Sequence, residues 1–503
     1  MIDFHKLFDK KQIPMILLIF IILSMHSILI QGCVVNDALL HYINREHGLL
    51  NVIYQQFLID LNQGRPLRLA VINWAFDNIS KNFYISRFIQ IGILISNLFL
   101  FGYFLKRIFN NIYFSYLVIF LFCLFLPITF EHALPNVYIG LVGMPINYLL
   151  LSLIFFDKYF DNRKRYRLFI VSMFFWFLAV LSFEFMVTFV CLFPIINKYK
   201  TGRWIGINKI TIIPVLIVFW YITTWIILTK IYISHYSGTQ IDNIWSAKNH
   251  IDILYQLFKS SLPGYFIFND KYAYIYKLCG DIIPSNDDSS LVSRIQSIIL
   301  NMGNIKIILE AIVAIIIFFK YYYFLKDDEN NSMRFSLKYI IVAIVYLFLP
   351  ALPYAIARMY QGRVNATDYI SLTASYPIYF SMIFLFSYII WHIIKKLKIG
   401  YIKIILMLLI CFYGMLIQTM NNTFAIEQQS IFSRITNIES LFETRALRNI
   451  TEKSICSFDL YQTQMSLSVS QKNLNDLVKL HGCNFTIENY NDNNKITLWL
   501  IVK

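Results

Sequence analysis

The chain alternates long apolar runs with short basic or polar interruptions. The first run covers about 13–31 and follows the basic stretch HKLFDKKQIP. A second covers about 85–105 and ends at Lys106 and Arg107. A third, about 112–130, stops at TFEHALPN. A fourth returns over about 137–156 to DKYFDNRKRYR, the densest basic run in the chain. Each is near the roughly 20 apolar residues that carry a helix across a bilayer.

The next run, LFIVSMFFWFLAVLSFEFMVTFVCLFPII, joins that basic cluster to a second one, NKYKTGRW, and holds one acid, Glu184. Both flanks belong on the same side by their positive charge. At 1.5 Å per residue the run is too long for one untilted crossing. It therefore predicts two short helices meeting near Ser182 to Glu184, on the far side. A seventh span is expected over about 210–231, an eighth over about 305–325, a ninth over about 338–357, a tenth over about 369–393 and an eleventh over about 401–420.

Eleven crossings keep every short basic loop in the cytoplasm. They put a first loop (32–84), a long loop (232–304) and a polar tail (421–503) outside. The expected fold is thus an all-α polytopic membrane domain over 1–420, followed by a small extracytoplasmic α/β domain over 421–503. In that tail the alternating stretch KITLWLIVK predicts a terminal strand. The amino terminus is expected on the cytoplasmic side and the carboxy terminus on the outer side.

Composition agrees with this solvent. Apolar residues make up 58% and charged residues 15% of the chain, with a mean hydropathy of +0.57. A soluble domain carries about a quarter charged residues. The net charge of +15 falls mostly in the short loops between spans, so it marks sidedness and not a nucleic-acid partner. Seven cysteines are too few for a disulfide framework. Cys123, Cys191 and Cys411 lie in apolar runs, whereas Cys456 and Cys483 lie in the tail, where they are able to pair. Cys33 ends LIQGC, which has the look of a lipoprotein cleavage site, but the later spans favour an uncleaved anchor.

No phosphate loop, dinucleotide fingerprint, CxxC pair or HExxH motif is present, and no metal ligand set is expected. GLVGMP has the small-residue spacing of helix packing. The chemistry-bearing residues gather at the expected outer face. The first loop, within GCVVNDALLHYINREHG and DLNQGRPLRL, supplies Asp37, Arg65 and Arg68. The end of the third span supplies Glu131 and His132, the hairpin tip Glu184, and the ninth-to-tenth loop Arg358 and Arg363. Ionisable groups in or near a bilayer tend to face the bundle interior and mark function. Each also has a plain structural reading. In that reading the arginines anchor helix ends at headgroups and Glu131 and His132 form a solvated turn, while Trp74 and Trp245, whose rings are able to stack on sugar faces, are interfacial belt residues.

An acid just after the first span, in VNDALLHY, followed by the outer turn NQGRPL, resembles the polytopic glucosyltransferases that decorate bacterial O-antigen and convert its serotype. These belong to the GT-C class of membrane glycosyltransferases. The resemblance implies a sugar, glucose, carried on polyprenyl phosphate as donor, with no further cofactor, and lipopolysaccharide O-antigen as acceptor. It puts Asp37 at the catalytic acid position and Gly64, Arg65 and Pro66 at the turn. The family often shows two adjacent acids. Here the first is Asn36, so a function needing both carboxylates is not implied.

The chemistry can be argued without the resemblance. Displacing a polyprenyl phosphate needs a base for the acceptor hydroxyl, a task for a carboxylate such as Asp37. It also needs cations for the departing charge, and Arg65, Arg358 and Arg363 provide planar, permanently charged forks. The resemblance further implies a bacterial inner membrane with a periplasmic carboxy terminus, and as partners the lipid-linked donor, the O-antigen acceptor, and the flippase and donor synthase of the same route. A lipid-linked sugar transporter, an O-antigen polymerase and a membrane acyltransferase remain as alternatives.

Overall fold

The computed structural model describes residues 12–31, 83–126, 139–161, 165–202, 209–231, 247–265, 302–327, 336–357, 372–397, 400–443, 460–461, 485–492 and 495–502, with a few isolated positions besides. Helix α1 is Ile13–Ile30, α2 Phe83–Phe109 and α3 Ile112–Phe125. A π-helical turn, Ile139–Gly143, leads into α4, Met144–Asp161. Next come α5, Tyr166–Ser182, a 3-10 segment, Glu184–Cys191, and α6, Leu192–Thr201. Helix α7 is Lys209–Ile231, α8 Ala247–Ser261 and α9 Ile305–Asp327. Helix α10, Leu337–Phe348, continues through a 3-10 turn, Leu349–Ala351, into the short α11, Leu352–Ile356. Helices α12, Leu372–Lys396, and α13, Gly400–Glu443, complete the helical part.

Helix α3 is the axis of the packing. From Leu117 to Phe125 every side chain is buried, among α1, α2, α12 and α13. Its start is fixed by Asn111, whose Oδ1 accepts from the backbone N–H of Tyr113 (3.0 Å) and Phe114 (2.9 Å), a side-chain N-cap. Pro127 lies just beyond its end, which accounts for a helix shorter than the expected 112–130. Close approach depends on two glycines. A Cβ on Gly102 would stand 2.5 Å from Ile119 Cδ1, and one on Gly414 would stand 2.2 Å from Leu124 Cγ. Small residues at such crossings let membrane helices pack backbone to backbone.

The outward faces are apolar. Phe219 on α7 is 68% exposed, and Val215, Leu216 and Ile227 on the same helix are also exposed. A contiguous surface of this kind is stable against lipid and not against water. Six helical segments among the described residues are long and apolar enough to cross a membrane: Ile13–Ile30, Arg87–Phe109, Ile210–Ile227, Leu337–Ile356, Tyr376–Lys396 and Gly400–Ile426. Two shorter apolar helices, Ile112–Phe125 and Tyr166–Ser182, lie among them. The chain is therefore an α-helical membrane protein.

Two further elements differ from the expected spans in a way that has a physical cause. The ninth is not one helix. Pro350 and Pro353 each lack an N–H donor, and the chain answers with a 3-10 turn. The last helix does not stop near 420. It runs 44 residues, about 66 Å at 1.5 Å per residue, more than twice a hydrocarbon core of about 30 Å. In the tail, β1 (Leu460–Tyr461), β2 (Phe485–Asp492) and β3 (Lys495–Val502) form an antiparallel sheet in the order β1-β3-β2. Strand β3 coincides with the alternating KITLWLIVK stretch.

Candidate functional site

The bundle has two chemically distinct ends. At one, Asp157 of α4 is fully buried and binds Arg107 of α2 and, at 2.9 Å, Lys200 of α6. Asp161, one turn on, also binds Arg107 and, at 3.1 Å, Lys200. Tyr199 Oη donates to the Ile108 carbonyl at 2.7 Å. Burial alone would raise the Asp161 carboxyl, but hydrogen bonds and charge from Arg107 and Lys200 hold it below the usual range. Burial opposes the Lys200 ammonium, yet Asp157 and Asp161 raise it above the usual range. This basic end is a structural clamp of four charges joining three helices.

The opposite end is rich in amides. Arg87 of α2 is 1% exposed, and it donates to Gln90 Oε1 and to the Gln31 carbonyl, each at 2.9 Å. Gln418 Nε2 donates to the Cys123 and Leu124 carbonyls (2.8 and 3.1 Å), and Asn421 Nδ2 to Leu126 (2.8 Å). These α13 amides satisfy the last carbonyls of α3, which a helix end leaves without intrahelical partners.

Glu184 belongs to this second end. Helix α5 leaves the basic end at Tyr166 and runs 17 residues, about 26 Å, before it breaks. Ser182 Oγ donates back to the Leu178 carbonyl at 2.7 Å, and Phe183 is extended (φ −158°, ψ 141°). The 3-10 segment then opens with Glu184 in its first turn, where a carboxylate meets unsatisfied N–H groups and the positive end of the local dipole. Helix α6 carries the chain back to Lys200 at the basic end. The break falls inside the interval Ser182 to Glu184 expected from the position of the lone acid.

Glu184 is half-buried, and the residues around it form a junction of two interrupted helices. Phe183 and Phe185 pack on Tyr354 of α11 with ring centres 6.3 and 6.1 Å apart. Phe189 stacks on Tyr346 of α10 at 5.6 Å. The break in the hairpin thus sits against the break in the ninth span, each accommodating the other. Such a junction holds a carboxylate at a defined depth, partly out of water, where it can accept a hydrogen bond or a proton from a hydroxyl.

Of the other expected site residues, Asp37, Arg65, Arg68, Glu131, His132, Arg358 and Arg363 lie outside the described residues, as do Trp74, Trp245, Cys33, Cys456 and Cys483. Ala357, where α11 ends, immediately precedes Arg358 in sequence. Among the described residues no group of three His, Cys, Asp or Glu side chains comes together as a metal site. Sequence reasoning passed over Arg87 and the pair Lys306 and Glu310, because a charge near the end of an apolar run reads as a headgroup anchor. No family model matches this chain, and no curated protein is significantly similar to it.

Proposed function

We propose that this protein is a polytopic membrane glycosyltransferase that moves a hexose, glucose, from a polyprenyl phosphate donor to lipopolysaccharide O-antigen on the periplasmic face of a bacterial inner membrane. One observation carries the reading. Glu184 stands at a helix break about 26 Å along α5 from the four-charge clamp, at the amide-rich end of the bundle. With the basic end in the cytoplasm, that carboxylate faces the outer side, which is also where the charge pattern of the sequence puts the loop holding Asp37. In this scheme Asp37 takes the proton of the acceptor hydroxyl while the hydroxyl oxygen attacks the anomeric carbon. The bond to the phosphate breaks, and Arg65, Arg68, Arg358 and Arg363 receive the leaving charge. Glu184 orients the donor sugar by hydrogen bonding from its half-buried position.

The test is transfer by purified protein from a radiolabelled polyprenyl-phosphate hexose to purified O-antigen. Asp37→Asn should lower transfer by about 10²-fold or more while donor binding stays near normal. Near-normal transfer by that variant would sink the catalytic assignment. A second reading has a specific observation behind it. Interrupted helices that pack on each other are the building element of substrate sites in transporters, and the Glu184 junction joins two of them. Movement of the lipid-linked sugar across liposomes without transfer would decide for transport.

A further inference from the structure

Helix α9 begins beside α1 and α13 with two charges one turn apart, Lys306 and Glu310. The Glu310 side chain is 0% exposed, and neither carboxylate oxygen accepts a hydrogen bond from a described residue. Lys306 Nζ stands 3.5 Å from Glu310 Oε1 and is 14% exposed. Its hydrogen bond goes to Asn422 Oδ1 of α13 at 3.2 Å. From α1, His26 is close enough to Lys306 to feel its charge. Asn422 on α13 is uncharged. Among the described residues the pair is thus flanked by one titratable ring and one amide.

An ion pair in this setting is poorly compensated. Burying two charges is favourable only with good geometry and with further hydrogen bonds to the remaining lone pairs, and among the described residues none is made to Glu310. The same carboxylate is a poor seat for a metal ion, since an ammonium already stands beside it. A proton fits. It needs no cavity, and it can reach Glu310 across the gap to Lys306. Transfer breaks one N–H bond of the Lys306 ammonium and forms one O–H bond on Glu310. The result is an amine and a carboxylic acid, both neutral, with no other reactant. Lys306, 14% exposed and close in sequence to the exposed Gly303 and Asn304, can then be reprotonated from solvent.

We propose that Lys306 and Glu310 form a proton-exchange site at the amide-rich end of the bundle, with Glu310 as the proton-binding group and Lys306 as its relay. This inference is independent of the sugar-transfer reading and is tested without an activity assay.

The experiment is infrared spectroscopy of the purified full chain in lipid nanodiscs, in H2O and D2O, across a pH series. At about pH 7, where an ordinary glutamate (about 4.3) is ionised, the wild type should show a carboxylic-acid carbonyl band that shifts in D2O. Glu310→Gln should lack that band. Lys306→Met should keep it and change the pH at which it disappears. Three results would overturn the proposal: no such band in the wild type at any pH where the protein stays folded, an unchanged band in Glu310→Gln, or an unaltered titration in Lys306→Met. If Glu310→Gln does not fold, Glu310→Asp replaces it. The band must then move in frequency, and an unmoved band counts against the site.

Discussion

Asp157→Asn should be among the most damaging polar substitutions at the basic end. The carboxylate is fully buried between two cations, Arg107 and Lys200, whose side chains are 20% and 21% exposed. The amide keeps the shape and removes the charge, leaving both cations facing a neutral group. Breaking a buried pair by deleting one partner costs about 3–5 kcal/mol. Here both cations retain some water and Asp161 remains beside them, so about 2–3 kcal/mol is the expected loss. Asp161→Asn is the internal control. Its side chain is 51% exposed, and pairs of that kind contribute below about 1 kcal/mol. The assay is reversible or rate-matched thermal unfolding of the purified protein in one detergent, with both variants measured beside the wild type. A loss from Asp157→Asn no larger than that from Asp161→Asn would refute the view that buried charge compensation locks α2, α4 and α6 together.

Three further predictions follow from the same structure. The clamp should be insensitive to pH through the neutral range. The Asp161 contribution, with its carboxyl held low, is present above the ordinary carboxylate range and lost only as pH falls through the lowered value. That of Lys200, held high, is lost only as pH rises past the ordinary lysine range; a stability difference between wild type and Asp157→Asn that changes between about pH 6 and 8 would contradict this. Gly414→Ala drives a methyl group into Leu124 and should cost about 1–3 kcal/mol, with Leu124→Ala in the same chain restoring part of it; additive losses in the double variant would argue against the close crossing. Glu184→Gln should fold normally and slow sugar transfer, and full transfer by that variant would leave the residue a structural part only.

Much of this architecture was readable beforehand because the bilayer makes the rules simple. Apolar runs became helices, six of them among the described residues long and apolar enough to span, and the lone Glu184 between two basic clusters located the break near Phe183. The misjudged boundaries have separate causes. Hydropathy falls after residue 420, but helix-forming residues continue, so α13 runs on to Glu443. The proline pair in LPALP is compatible with a span by composition, and only the backbone shows the 3-10 turn it imposes. The charges were harder still. DKYFDNRKRYR reads as a basic loop, yet its two acids pair with Arg107, 50 residues away from Asp157. Nothing local to Arg87, Lys306 or Glu310 distinguishes a snorkelling side chain from a buried one. That distinction comes from which helices pack around them.

The central claim is sugar transfer at the membrane face opposite the basic loops. It is tested most directly in sealed vesicles of known orientation that contain the protein and a radiolabelled polyprenyl-phosphate hexose in both leaflets. Purified O-antigen is added only to the external medium. Right-side-out vesicles should label the acceptor, inverted vesicles should not, and Asp37→Asn should abolish the signal. Equal labelling in inverted vesicles, or labelling unaffected by Asp37→Asn, would contradict the account.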